Sequence, residues 1–165
     1  MTFTEPVRKY ILSGMVAFVV IGLIVANVMA SKQDEEFMMN ESLYSDAIQL
    51  QSSGDLDGAM VAILEVLKQQ PNSEIANYLA GLIAAQNGDN KQAAVYLQKT
   101  LDINPHKVED AMFMIQLGEV FVAAERYEDA KIVLQRCQEW GWVPEQLPNY
   151  QEIVATLLAQ IENPQ

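Results

Sequence analysis

The chain is poor in reactive side chains, with one cysteine, Cys137, and one histidine, His106. A single thiol cannot close an internal disulfide, so cysteine usage carries no sign of a reducing or oxidising compartment. Cys137 lies far from the N-terminal apolar run, which excludes a lipid-modified cysteine there. HExxH, CxxC and a glycine-rich phosphate loop ahead of a helix are all missing. Cations are scarce too: 10 lysines and arginines stand against 22 aspartates and glutamates, a formal charge of −12. That surplus repels nucleic-acid phosphates and excludes nucleic acid as a partner. Catalysis has little to work with, and no metal, cofactor or catalytic residue is expected. A Cys–His pair is formally open, although His106 follows Pro105 in a turn and lies far from Cys137 in sequence.

Apolar residues make up 50% of the chain, enough for one packed domain, but they are unevenly spread. From Tyr10 to Ser31 no charged residue occurs. At about 1.5 Å per helical residue such a run crosses a hydrocarbon core of roughly 30 Å. It reads as a membrane span or a signal sequence. Its length exceeds the roughly 7 to 15 apolar residues of a cleaved signal, although Val28-Met29-Ala30 would serve as a cleavage site, and an uncleaved anchor over 10–31 is the favoured reading. Arg8 and Lys9 precede the run and Asp34, Glu35 and Glu36 follow it. Basic flanks stay on the cytoplasmic side, which puts the tail 1–9 inside and everything after the span outside, in a bacterium the periplasm or cell exterior. Gly22, Ala26 and Ala30 recur at four-residue spacing, with Gly14 on the same ridge, an arrangement that lets two membrane helices approach closely. The linker 32–39 has no Gly or Pro, so helix could continue through it; Phe37, Met38 and Met39 either lie at the membrane surface or begin the folded core.

From about Asn40 the chain reads as helices with an apolar residue every three or four positions, broken at Gly- and Pro-marked turns. It also repeats. "SGDLDGAMVAILEVLKQQP" (53–71) returns 34 positions later as "NGDNKQAAVYLQKTLDINP" (87–105), with Gly54, Asp55, Ala59 and Pro71 answering Gly88, Asp89, Ala93 and Pro105. "NGDNK" lacks the alternating carboxylates and closing Glu of a calcium loop, and its match in the first unit marks it as an inter-helix turn. A third unit follows, displaced by three extra residues in the region of "HKVED", and it lacks a proline at its expected end, offering "WGWVP" instead. In each unit a small residue on the first helix precedes an alanine on the second by 12 positions: Ala47 and Ala59, Gly81 and Ala93, Gly118 and Ala130. Antiparallel helices come into close contact where the facing side chains are small. The segment 147–164 puts Tyr150, Ile153, Val154, Leu157, Leu158 and Ile161 on one stripe and Gln151, Glu152, Gln160 and Glu162 on the other. This is a capping helix, with Asn149 as its N-cap and Pro164 as its stop.

Gly81, Ala93 and Pro105, with Leu117, Gly118 and Phe121 in the third unit, make residues 40–142 resemble the tetratricopeptide repeats, whose period is 34 and whose pattern has small residues at both helix crossings and a closing proline. Unit one departs from the pattern at Asp46, where the family usually has Leu. The expected fold is all-α: a transmembrane helix, a three-repeat solenoid over 40–146, and a capping helix and tail over 147–165. The resemblance assigns Cys137 to a small-residue packing position. It also places ligands on the inner face formed by the first helices, where this chain offers Tyr44, Ile48 and Gln51, then Tyr78, Leu82 and Ala85, then Met112, Ile115, Glu119 and Val122. None of these is Lys, Arg or Asn, which argues against a clamp for acidic C-terminal tails. A short apolar or amphipathic segment suits Tyr, Leu, Ile and Met better. Helical spacing alone leaves each of these residues, Met112 and Ile115 above all, open to a packing role instead.

The layout resembles the single-span accessory subunits that attend bacterial envelope machines, namely cytochrome c maturation and nitrite reductase assembly, the secretion translocon and pilus assembly. It implies a membrane-anchored adapter with protein partners in the cytoplasmic membrane, its repeats extracytoplasmic. A permanent structural subunit of a respiratory or secretory complex is the alternative, and a soluble chaperone-like protein released after Ala30 a more distant one.

Overall fold

A computed structural model describes residues 38–162 together with 18, 19, 22 and 23. The chain divides into two units, Met1–Ser42 and Leu43–Gln165. In the first, residues 18, 19, 22, 23 and 38–42 are helical, and Phe18, Val19, Leu23, Met38 and Met39 are exposed. Most of the expected span 10–31, including Gly14, Ala26 and Ala30, lies outside the described residues. Among the described residues no helix is long and apolar enough to cross a membrane.

The second unit is an antiparallel helical array. Its helices are α1 (residues 43–53), α2 (Leu56–Gln69), α3 (Glu74–Gln86), α4 (Asn90–Ile103), α5 (Ala111–Ala123), α6 (Tyr127–Trp140) and α7 (Tyr150–Glu162), with a short 3-10 turn at Pro105–Glu109. Among the described residues there is no strand. The helices pack as three consecutive pairs and a closing helix.

Local chemistry sets the boundaries. Gly54 and Gly88 adopt φ of +85° and +80°, a left-handed backbone that glycine takes without a Cβ clash. The next residue is in both cases an N-cap: Asp55 Oδ1 accepts from the Gly58 amide at 3.0 Å and Asp89 Oδ1 from the Gln92 amide at 3.1 Å. Ser73 and Asp110 cap α3 and α5 in the same way. The repeated "GD" thus ends one helix and starts the next. The three extra residues before the third pair fall in the region of the five-residue 3-10 turn. Its Lys107 pairs with Asp110 at 3.2 Å and Glu74 at 3.7 Å and lies 5.6 Å and 5.8 Å from the ring centres of Tyr78 and Phe113, joining that turn to the second and third pairs.

Within each pair the small residues lie at the crossing. Ala47, Ala59, Ala93 and Ala130 are fully buried, as is Cys137, which sits in the core of α6. The side chain that each glycine admits is nevertheless a leucine one turn beyond the alanine. A Cβ on Gly81 would stand 2.6 Å from Leu97 Cδ2, and one on Gly118 would stand 2.6 Å from Leu134 Cδ2. Leu97 and Leu134 are completely buried there, each burial contributing about 1.5–3 kcal/mol.

The last pair is covered by α7. Tyr150 and Val154 are fully buried, Ile153, Leu157, Leu158 and Ile161 half-buried, and Glu152, Gln160 and Glu162 exposed. The Tyr150 hydroxyl donates to the Ala111 carbonyl at 3.0 Å. Gln151 Nε2 donates to the carbonyls of Cys137 at 3.1 Å and Trp142 at 2.9 Å, holding α7 against both α5 and the end of α6. Pro164 lies outside the described residues.

Candidate functional site

The first helices of the second and third pairs, α3 and α5, bury most of their residues and leave a narrow stripe, whereas α1, at the end of the array, buries only Ala47 fully and exposes Ser45, Asp46, Ile48, Gln49, Ser52 and Ser53. On α3 the residues outside the core include Ile75, Tyr78, Leu82 and Gln86, at steps of three or four that put them on one face. Ile75 is 59% exposed. On α1 the equivalent stripe carries Tyr44 and Gln51, both half-buried, and Ile48, 41% exposed. Gln51 Nε2 donates to Gln86 Oε1 at 3.1 Å, which ties the ends of the two stripes together. Ala85 is half-buried beside them.

On α5 the outcome differs from the sequence expectation. Ile115 and Val122 are only 2% and 5% exposed and belong to the core, so neither lines an accessible surface. The physical reason is α7, which packs on α5 and belongs to the same cluster. The accessible stripe on α5 instead runs through Met112 and Gln116, both half-buried, to Glu119 and Ala123, both exposed.

Tyr44 and Tyr78 occupy equivalent positions but not equivalent surroundings. The Tyr78 hydroxyl donates to Gln116 Oε1 at 2.6 Å, and its ring tilts against Phe113 with centres 5.8 Å apart. Burial raises its pKa, as does the charge of Asp110, while Lys107 acts the other way. It is therefore a half-buried bridge between α3 and α5. Tyr44 packs on the core of the first two pairs, and burial alone raises its pKa. Sequence reading missed Ile75, one turn before Tyr78, and Gln116, the hydroxyl's acceptor. The i, i+3, i+7 spacing of Ile75, Tyr78 and Leu82 carried the signal for the first; the second bridges two repeats, and nothing local marks it.

Ile48, Leu82 and Glu119 hold the same position of successive units. Read along the array, that row is apolar, apolar, then acidic. Glu119 is exposed but crowded by surrounding protein, and burial lifts its carboxyl above the ordinary value of 4.5. Among the described residues no cation pairs with it.

The two reactive side chains lie apart from this row. His106 is exposed on the 3-10 turn, 3.9 Å from Glu109, whereas Cys137 is inside α6 with its thiol pKa raised by burial. No group of His, Cys, Asp and Glu suited to holding a metal occurs among the described residues.

An array of short antiparallel pairs with glycine and alanine at the crossings and a closing amphipathic helix defines a class of helical repeat protein. Residues 75–107 match the tetratricopeptide repeat family, and the whole array has the tetratricopeptide fold. No curated protein matches the chain. Among solved structures it is similar to the Yersinia enterocolitica type III secretion chaperone SycD in complex with a peptide of the translocator YopD, at 16% identity and TM-score 0.60, covering 74% of this chain and 91% of that one. The TPR2B domain of yeast Sti1 in complex with pHsp70 is similar at 16% identity and TM-score 0.59, with 78% and 99% covered. A mutant of the Thermobaculum terrenum O-GlcNAc transferase shares 26% identity at TM-score 0.56, covering 74% of this chain but 22% of that protein. The unit that matches the family by sequence is the second, the one with glycine, alanine and proline all in place.

Proposed function

We propose that this chain is an adapter that holds an apolar or amphipathic segment of a partner protein along the inner face of its repeats. The reading is carried by the row of accessible apolar side chains on α1, α3 and α5: Ile48 and Ile75 are 41% and 59% exposed beside half-buried Tyr44, Leu82 and Met112. On α3 and α5 this stripe lies beside packed faces, on α1 it adjoins exposed polar residues, and adaptable Ile, Leu, Met and Tyr contacts suit a peptide groove. The likeness to SycD, whose structure holds a peptide, supports the same use of the fold. The uncharged run 10–31 supports a single-pass anchor, with Arg8 and Lys9 inside and the array outside the cytoplasm. In that setting the adapter serves the assembly of an envelope complex.

The test is recovery of co-purifying protein after gentle detergent solubilisation of the full chain. Ile48→Asp and Leu82→Asp place a charge on the row, and loss of a true hot spot costs at least about 2 kcal/mol, roughly thirtyfold in affinity. Ile48 is partly exposed, so its substitution should leave thermal unfolding unchanged while recovery falls. Undiminished recovery with both variants rules the groove out. Topology is read separately with Gln33→Cys and an impermeant thiol reagent; the buried Cys137 makes the native chain the blank. Labelling only after inner-membrane lysis reverses the orientation.

A further inference from the structure

The inner face is graded along its length, and the gradation specifies what lies on it. Equivalent positions carry Ile48, Leu82 and Glu119. The first two present hydrocarbon; the third presents a carboxylate with no cationic partner among the described residues. Lys107, on the turn before α5, is already bound by Glu74 and Asp110 and lies near two aromatic rings. Arg126, shortly after α5, is paired with Asp129 and stacked on Phe121. Neither is available to Glu119, and the chain as a whole carries −12.

We propose that the partner segment carries a lysine or arginine that pairs with Glu119 and apolar side chains that lie on Leu82 and Ile48. This deepens the adapter reading and depends on it. A carboxylate beside an apolar groove favours a cation and disfavours an anion in the same place, so it sets both the choice of partner and the direction in which the segment lies. An acidic tail, the charge opposite to this requirement, is rejected at unit three. The crowding of Glu119 strengthens the preference, because an incoming cation recovers part of the solvation the carboxylate has given up.

The test uses the full chain in zwitterionic nanodiscs, with empty discs as blank, and three short fluorescent peptides alike in two leucines but carrying lysine, glutamine or glutamate after them. Fluorescence anisotropy should rank lysine above glutamine above glutamate, with about fivefold or more between the first and the last. Glu119→Gln should erase the advantage of lysine over glutamine, and Glu119→Lys should reverse the order. Glu139→Lys, an equal charge change at an exposed position of α6, should leave the order intact. An order unaltered by the Glu119 variants, or altered as much by Glu139→Lys, overturns the proposal in favour of bulk charge. Leu82→Asp separates the two levels. If it abolishes binding while the Glu119 variants change nothing, the groove stands and the charge preference falls; if no peptide depends on Leu82, or none binds, both fall.

Discussion

The first two helix pairs turn on a glycine and an aspartate, and the third turns on a glutamate and an arginine. Gly54-Asp55 and Gly88-Asp89 supply a left-handed backbone at no steric cost and a side-chain cap for the next helix. Glu125 takes the same left-handed conformation, φ +61°, with a Cβ in place. Arg126 stands at the N-cap with no side-chain cap bond. Its guanidinium instead lies 4.3 Å from the centre of the Phe121 ring and 2.7 Å from Asp129. What differs is the local chemistry of the turn and not the density of support behind it. The helix entering it, α5, has eight buried residues, and α3, which enters the Gly88-Asp89 turn, has seven; at the second turn packing and propensity agree, and at the third the packing of α5 with α6 and α7 holds a turn the local sequence does not favour. Tertiary contact can override propensity, and the third turn is where it does so.

The largest effect should come from removing that support. Tyr150→Ala deletes a fully buried ring together with its bond to Ala111 and should destabilise the array by about 3–5 kcal/mol. Thermal or urea unfolding of the full chain measures it. A loss under about 1 kcal/mol would mean that α7 does not hold the third pair.

A smaller difference separates the caps. Asp89→Ala leaves the Gln92 amide without its acceptor and should cost about 1 kcal/mol. Arg126→Ala has no cap bond to lose. Its partly exposed ion pair contributes about 0–1 kcal/mol and its stacking about 0.5–1 kcal/mol. Raising the salt concentration distinguishes the two, since it weakens only the ionic part of the Arg126 loss. Equal losses with equal salt response would erase the contrast between the turns.

The features legible in the sequence are those that recur locally. The 34-residue spacing, the small residues at the crossings, the "GD" turns and the two-sided pattern of α7 each repeat or alternate within one helix, and the structure places all of them in packing or turn roles. The illegible ones depend on a remote partner. Ile115 and Val122 carry the same spacing as groove residues and are buried because α7, a later element, comes to rest on α5. Tyr78 matches Tyr44 in sequence position, yet only Tyr78 faces an insertion that brings Lys107 beside it and a glutamine 38 residues away that accepts its hydroxyl. The conformation of Glu125 had no glycine to announce it.

That residue provides the smallest and most discriminating prediction. A side chain in the left-handed region costs roughly 1–2 kcal/mol relative to ordinary backbone, and glycine removes the penalty but gains freedom in the unfolded chain worth about 0.5–1 kcal/mol. Glu125→Gly should therefore stabilise the protein slightly, by about 0.5–1 kcal/mol, seen as a small rise in Tm. The reciprocal change in unit two, Gly88→Glu, places a Cβ where φ is +80° with no neighbouring atom within 4 Å, so its cost is conformational and not steric crowding. It should lose about as much as Glu125→Gly gains. If Glu125→Gly lowers Tm instead, glutamate's left-handed backbone is not strained there, and the third turn is as well matched to its sequence as the first two.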